Sequence, residues 1–171
     1  MFFTAFGISL MLPPIPQIRH KVPFFPKELF KRYTSIFLPY AIRHVAANMV
    51  WIIYPLYLQS LGLDFFTISI LYTINPFLQF ILMYTLTDRV SAHRLMALGL
   101  TFSALVFFTM FLSSTPWHII PVQILIAASW SCLYVGALRQ VTEQDVQKAT
   151  TTGLLTSIIN IGNIIGPFLE G

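Results

Sequence analysis

Apolar positions along the 171 residues fall in long runs that stop at short polar breaks. Runs covering roughly 34–61, 67–87, 95–113, 118–138 and 150–169 each approach the ~20 apolar residues needed to cross ~30 Å of hydrocarbon. The pattern predicts five complete spans. A sixth, partial one is read at residues 1–12, "MFFTAFGISLML", which are apolar but too short to cross and lack the basic start and cleavage signal of a leader peptide. "PPIPQIRHKVPFFPKELFKRY", residues 13–33, follows as a basic, proline-rich loop with room for one turn of interfacial helix at 27–33. In lipid a helix satisfies its own backbone groups, so no strand is predicted. The expected fold class is an all-α, polytopic membrane helical bundle, with residues 34–171 as its five-helix unit.

The polar positions inside the spans have a helical period of their own. His44, Asn48, Trp51 and Pro55 share a face of the first span, and Tyr72, Asn75 and Gln79 share one in the second, where Pro76 frees a carbonyl. The fourth repeats the pattern with Gln123, Ala127, Trp130 and Tyr134. The fifth carries Gly153, Thr156, Asn160, Asn163 and Pro167 on a small or polar face, read as cavity or interface. Hydrocarbon tolerates such groups only where they face protein or a water-filled cavity. Interhelical hydrogen bonding and ring packing compete with ligand contact as readings of the second and fourth spans. Beside the polar face of the fifth, Gly162 and Gly166 form a small-xxx-small ridge for helix packing, and Pro167 weakens the last turn. The third span, "LMALGLTFSALVFFTMFLS", holds only small hydroxyls that can bond back to their own helix, and it is expected to face lipid. Arg43 keeps two readings: a side chain snorkelling to the headgroups, or a cation facing the pathway.

Composition fits a membrane protein, with 56% hydrophobic and only 9% charged residues and a mean hydropathy of +0.75. The net charge of +4 acquires a meaning from its distribution. Loops 13–33, 88–94 and 139–149 hold nine of the ten Lys and Arg, while 62–66 and 114–117 hold none, so the first set is expected on the cytoplasmic side of the cell (inner) membrane. No compact basic face remains for nucleic acid. Cys132 is the single cysteine and reads as a packing residue. The four histidines lie in separate segments without metal-ligand spacing, so no metal and no cofactor is expected. No span carries Asp or Glu near its middle, and there is no P-loop, no G-x-S-x-G elbow and no nucleophile with a base. An enzyme is therefore not expected, and no catalytic residue is assigned.

Residues 84–94, "YTLTDRVSAHR", resemble the loop motif G-x-L-x-D-R-x-G-x-R of the major facilitator superfamily of secondary transporters. Leu86, Asp88 and Arg89 match in register, Tyr84 and Ser91 replace the two glycines, and Arg94 is displaced slightly from the second basic position. "GNIIGPFLEG", residues 162–171, is similar to the family's G-x-x-x-G-P motif through Gly162, Gly166 and Pro167. The resemblance implies a protein of two six-helix halves that rock about a small solute bound near the midplane. Its C-terminal half, from the end of the sixth helix to the eleventh, is the better fit, because a first half with an extended N-terminus leaves residues 1–12 unexplained. The implied solute contacts are Asn48, Trp51, Asn75, Gln79, Trp130, Tyr134 and Asn160. The implied conformational switch is the loop of Asp88, Arg89 and Arg94, with Asp88 engaging a helix N-terminus of the opposite half. The expected partners are a small solute, membrane lipid, and a missing N-terminal six-helix half or a second chain. A truncated, non-transporting fragment or scaffold that needs such a partner is the alternative.

Overall fold

The computed structural model describes residues 26–169, so the partial helix expected at 1–12 and the loop as far as residue 25 lie outside the described residues. Six helices follow one another without a strand among the described residues: α1 (Lys27–Arg32), α2 (Thr34–Ser60), α3 (Phe65–Leu86), α4 (Ala92–Leu112), α5 (Pro116–Glu143) and α6 (Lys148–Phe168). α1 is the turn expected before the first span. α2 to α5 are long and apolar enough to cross a membrane; α6 has 21 residues, the same length as α4, but falls short of them in mean hydropathy. The expected count of five spans therefore stands on length alone for α6, whose threonines and asparagines dilute its apolar residues.

Local chemistry sets several ends. α2 stops in a Schellman motif, where Gly62 N–H donates to Gln59 O (2.9 Å) and Leu63 N–H to Leu58 O (3.2 Å). Gly62 stands at φ 83°, a conformation that glycine adopts without a Cβ penalty. Asp64 then caps α3, accepting from Thr67 N–H at 3.3 Å, so α3 starts two residues before the apolar run suggested. α5 runs five residues past the expected end at 138, because Val141 is buried and the buried Gln140 donates to Ala92 O. Hydropathy locates the edge of the lipid, whereas the helix continues wherever tertiary contacts reward it.

α5 is the centre of the bundle. It packs on α2, α3, α4 and α6, and its pairing with α4 is the most extensive. Lipid is as apolar as a side chain, so this packing depends on close approach rather than on removal of water. Gly99 and Gly136 provide it: a Cβ on Gly136 would lie 2.5 Å from Met96 N and 3.0 Å from Ala92 O, and one on Gly99 would meet the Leu133 backbone. The expectation that the third span faces lipid therefore applies to one side of α4 only. One face of α4, with Ala92, Leu95, Met96, Gly99, Ser103 and Val106, is buried, and the opposite face carries the exposed Phe108 and Phe111.

Among the described residues, every Lys and Arg except Arg43 gathers at the end formed by α1 and the two loops 87–91 and 144–147. Asp145 joins this end together. Its carboxylate, 6% exposed, accepts from Tyr33 Oη at 3.2 Å and lies 3.6 Å from the Arg32 guanidinium, docking α1 onto the α5–α6 loop.

Candidate functional site

The site begins with a packing feature. A Cβ on Gly162 would lie 2.6 Å from the His44 ring, and one on Gly166 would lie 2.5 Å from Asn48 Cβ, so these two glycines let α6 sit directly against α2. That approach brings His44 Nε2 within 2.9 Å of Asn163 Oδ1, to which it donates, since the amide oxygen can only accept. Asn48 turns back and donates to His44 O at 2.9 Å.

Facing them from α3 and α5 is a buried chain of amides. Gln79 Nε2 donates to Asn75 Oδ1 (2.5 Å), Asn75 Nδ2 to Gln123 Oε1 (2.9 Å), and Gln123 Nε2 to Tyr54 Oη (2.8 Å). The chain links α3, α5 and α2 across the bundle and holds Gln79 at its open end. Trp130 of α5 stacks on Tyr134 with centroids 5.9 Å apart, and lies 5.4 Å from His44 and 6.4 Å from Tyr40. Trp51 meets Tyr54 edge-on at 5.1 Å.

Arg43 completes the arrangement. At about 1.5 Å per residue it stands some 13 Å along α2 from Thr34, well inside the span. Its guanidinium does not extend to the helix end. Nε donates to Ser103 Oγ (2.9 Å) and Nη2 to Ser129 Oγ (3.1 Å), and the group lies 5.5 Å from the centre of the Trp130 ring. Of the two readings that the sequence left open, the snorkelling one does not describe this side chain.

These groups line a half-open cavity of about 320 Å³. α2 lines it with Arg43, His44, Asn48 and Trp51, α3 with Gln79, α5 with Ile126 and Trp130, and α6 with Ile159 and Asn163. Two clefts of about 560 Å³ are larger, but one is lined almost wholly by apolar residues of α3 and α5, and the other follows the end of α3 and the turn after it, from Phe80 to Arg89. Of the seven implied solute contacts, Asn48, Trp51, Gln79 and Trp130 meet at the smaller cavity, joined there by His44, Asn163 and Arg43. Asn75 stands behind Gln79, and Tyr134 behind Trp130. Asn160 is exposed on α6, one turn from the cavity, which receives Asn163 instead. Ser103 bonds back to its own helix as expected of the third-span hydroxyls, donating to Gly99 O at 2.8 Å, but neither it nor Ser129 was expected to hold Arg43; a serine at mid-span opposite an arginine is the signal that could have found them.

The switch residues lie at the basic end. Asp88 and Arg89 are exposed in the turn after α3, and Arg94 is exposed in the first turn of α4. Among the described residues the Asp88 carboxylate has no ion-pair partner. The turn itself is braced by Arg139, which donates from Nη1 to Thr87 O and to Val90 O (2.8 Å), and whose Nε pairs with Glu143 (2.6 Å).

The family model described as Major Facilitator Superfamily matches residues 1–171. Among curated proteins and among solved structures nothing matches. Membership rests on that match over the whole chain, in company with long apolar helices that make this a multi-pass integral membrane protein. The chain belongs to the Major Facilitator Superfamily of membrane transporters.

Proposed function

We propose that the chain forms one half, the C-terminal one, of a secondary active transporter that moves a small solute by alternating access. The cavity between α2, α3, α5 and α6 is its solute site. The observation that carries this reading is the convergence of amide, aromatic and cationic side chains from four helices on one space at mid-span, where lipid-facing polar groups are costly. Asn48 and Gln79 provide hydrogen bonds and Trp51 and Trp130 provide walls, while Asn75 and Tyr134 fix the orientation of Gln79 and Trp130. Asn160 belongs with Gly153 and Thr156 to an exposed polar face of α6 that a partner half or a second chain would cover. The loops 88–94 and 139–149 lie on the cytoplasmic side, as their positive charge favours. Asp88, Arg89 and Arg94 form the switch that meets the partner half in one of the two states.

The test is an uptake screen of candidate solutes in cells carrying the complete reading frame, followed by the variants Gln79→Ala and Trp130→Ala on any solute taken up. Loss of uptake at unchanged membrane abundance is the expected result. Undiminished uptake by both variants would remove the cavity from the pathway.

A further inference from the structure

Arg43, half-buried, is the one Lys or Arg in the interior of a described span, and its surroundings do not neutralise it. Every described Asp and Glu lies in a loop or at a helix end, and the two ion pairs among the described residues are Arg32 with Asp145 and Arg139 with Glu143. The two serines that hold Arg43 contribute neutral oxygens and engage two of its five N–H donors. Three donors remain without a protein acceptor among the described residues. A full charge well inside a span is costly, and a residue kept there without a counter-ion usually marks a solute or ion pathway. The fixed position matters as much as the charge. Ser103 from α4 and Ser129 from α5 aim the planar fork from two directions, and the Trp130 ring bounds it on a face. Such a preorganised fork matches the paired oxygens of a carboxylate or phosphate.

We infer that the cavity takes an organic anion, whose carboxylate or phosphate group closes on Arg43 while an apolar or aromatic body lies against Trp51 and Trp130. The volume of about 320 Å³ fits this size class, holding about ten water-sized groups at ~30 Å³ each. A neutral solute would leave the guanidinium uncompensated in the occupied state, whereas an anion removes that cost on binding. The inference rests on reading this cavity as the solute site, and it narrows the solute to one charge class.

The test uses Trp130 as its reporter, because it touches Arg43 and the chain has only three tryptophans. In the full chain carrying Trp51→Phe and Trp117→Phe, reconstituted in lipid nanodiscs, fluorescence is quenched separately with iodide, caesium and acrylamide, and benzoate and phenylphosphonate are compared with neutral benzamide as competitors. Iodide should quench more strongly than caesium, benzoate or phenylphosphonate should suppress the iodide effect, and benzamide should not. Arg43→Gln should weaken that competition roughly tenfold or more, the effect of losing one charge-assisted contact. Iodide quenching no stronger than caesium, or benzamide competing as well as the anions, would overturn the inference without recourse to any variant. The same holds if Arg43 is paired by a carboxylate of a partner half: in the complete transporter the anions would then fail to compete. Anion binding without uptake of any anion would break the transport reading alone, and uptake restricted to neutral solutes would break this inference alone.

Discussion

Replacing Asn75 and Gln123 by Leu, singly and together, probes the buried amide chain that sets the position of Gln79. Both residues are nearly sealed from solvent, at 8% and 3% exposure, and their direct bond is 2.9 Å long. Hydrogen bonds between membrane helices average about 0.6 kcal/mol and reach about 1.7 kcal/mol. A sealed, well-formed pair belongs toward the upper end of that range, so the expected coupling is about 1 kcal/mol or somewhat more. Each single replacement should cost more than the lost bond, about 1–3 kcal/mol, because Asn75→Leu also strands Gln79 Nε2 and Gln123→Leu also strands the Tyr54 hydroxyl. The double variant should then be destabilised by less than the sum of the singles. The assay is reversible unfolding of the four proteins by detergent titration in bicelles. Singles that add to the double within about 0.3 kcal/mol would show that the pair does not interact, and the account of how Gln79 is positioned would fail.

Three further predictions follow from packing and charge. Gly136→Leu drives a side chain into the Met96 and Ala92 backbone, which cannot yield as a side chain could, so about 1–3 kcal/mol should be lost. Gly153→Ala, with open space around it, should instead gain up to about 1 kcal/mol of helix propensity, and melting in one detergent distinguishes them. Burial and the neighbouring Asp145 carboxylate hold the Tyr33 phenol above its ordinary value of 10. The unfolded phenol ionises first, so docking of α1 is fully supported below pH 10 and weakens as pH rises through the raised value. Tyrosinate absorbance should therefore lose a component titrating above 10 in Tyr33→Phe, and loss of one at or below 10 would contradict this. Asp88→Asn should leave melting of this chain unchanged, since the carboxylate is exposed, yet should shift inward against outward accessibility in the complete transporter. Unaltered labelling from both faces would refute the switch.

Much of the helical layout was legible because membrane spans are selected by length and hydropathy, two quantities that a sequence carries openly. The ends were less so. Asp64 and Gln140 extend α3 and α5 through a cap and a buried amide that no apolar window registers. The glycine ridge of α6 could be seen because its period stands beside a proline, whereas Gly99 and Gly136 are single residues on two helices and acquire meaning only when α4 meets α5. Asn48 and Gln79 were found as polar groups at mid-span. Asn160 and Asn163 are three apart on one helical face, so periodicity alone could not say which would reach His44; the Gly162 contact decides for Asn163. Arg43 remained ambiguous in sequence because the serines that capture it lie 60 and 86 residues away.

Alternating exposure of the cavity is the central claim, and cysteine labelling tests it without knowing the solute. In the complete protein with Cys132→Ser, Gln79→Cys places a thiol at the cavity and Leu105→Cys places one on the exposed outer face of α4. A charged, membrane-impermeant thiol reagent should modify the position 79 variant when added to either side of the membrane, and should spare the position 105 variant from both. Equal reactivity at the two positions, or reaction at position 79 from one side only, would contradict the account.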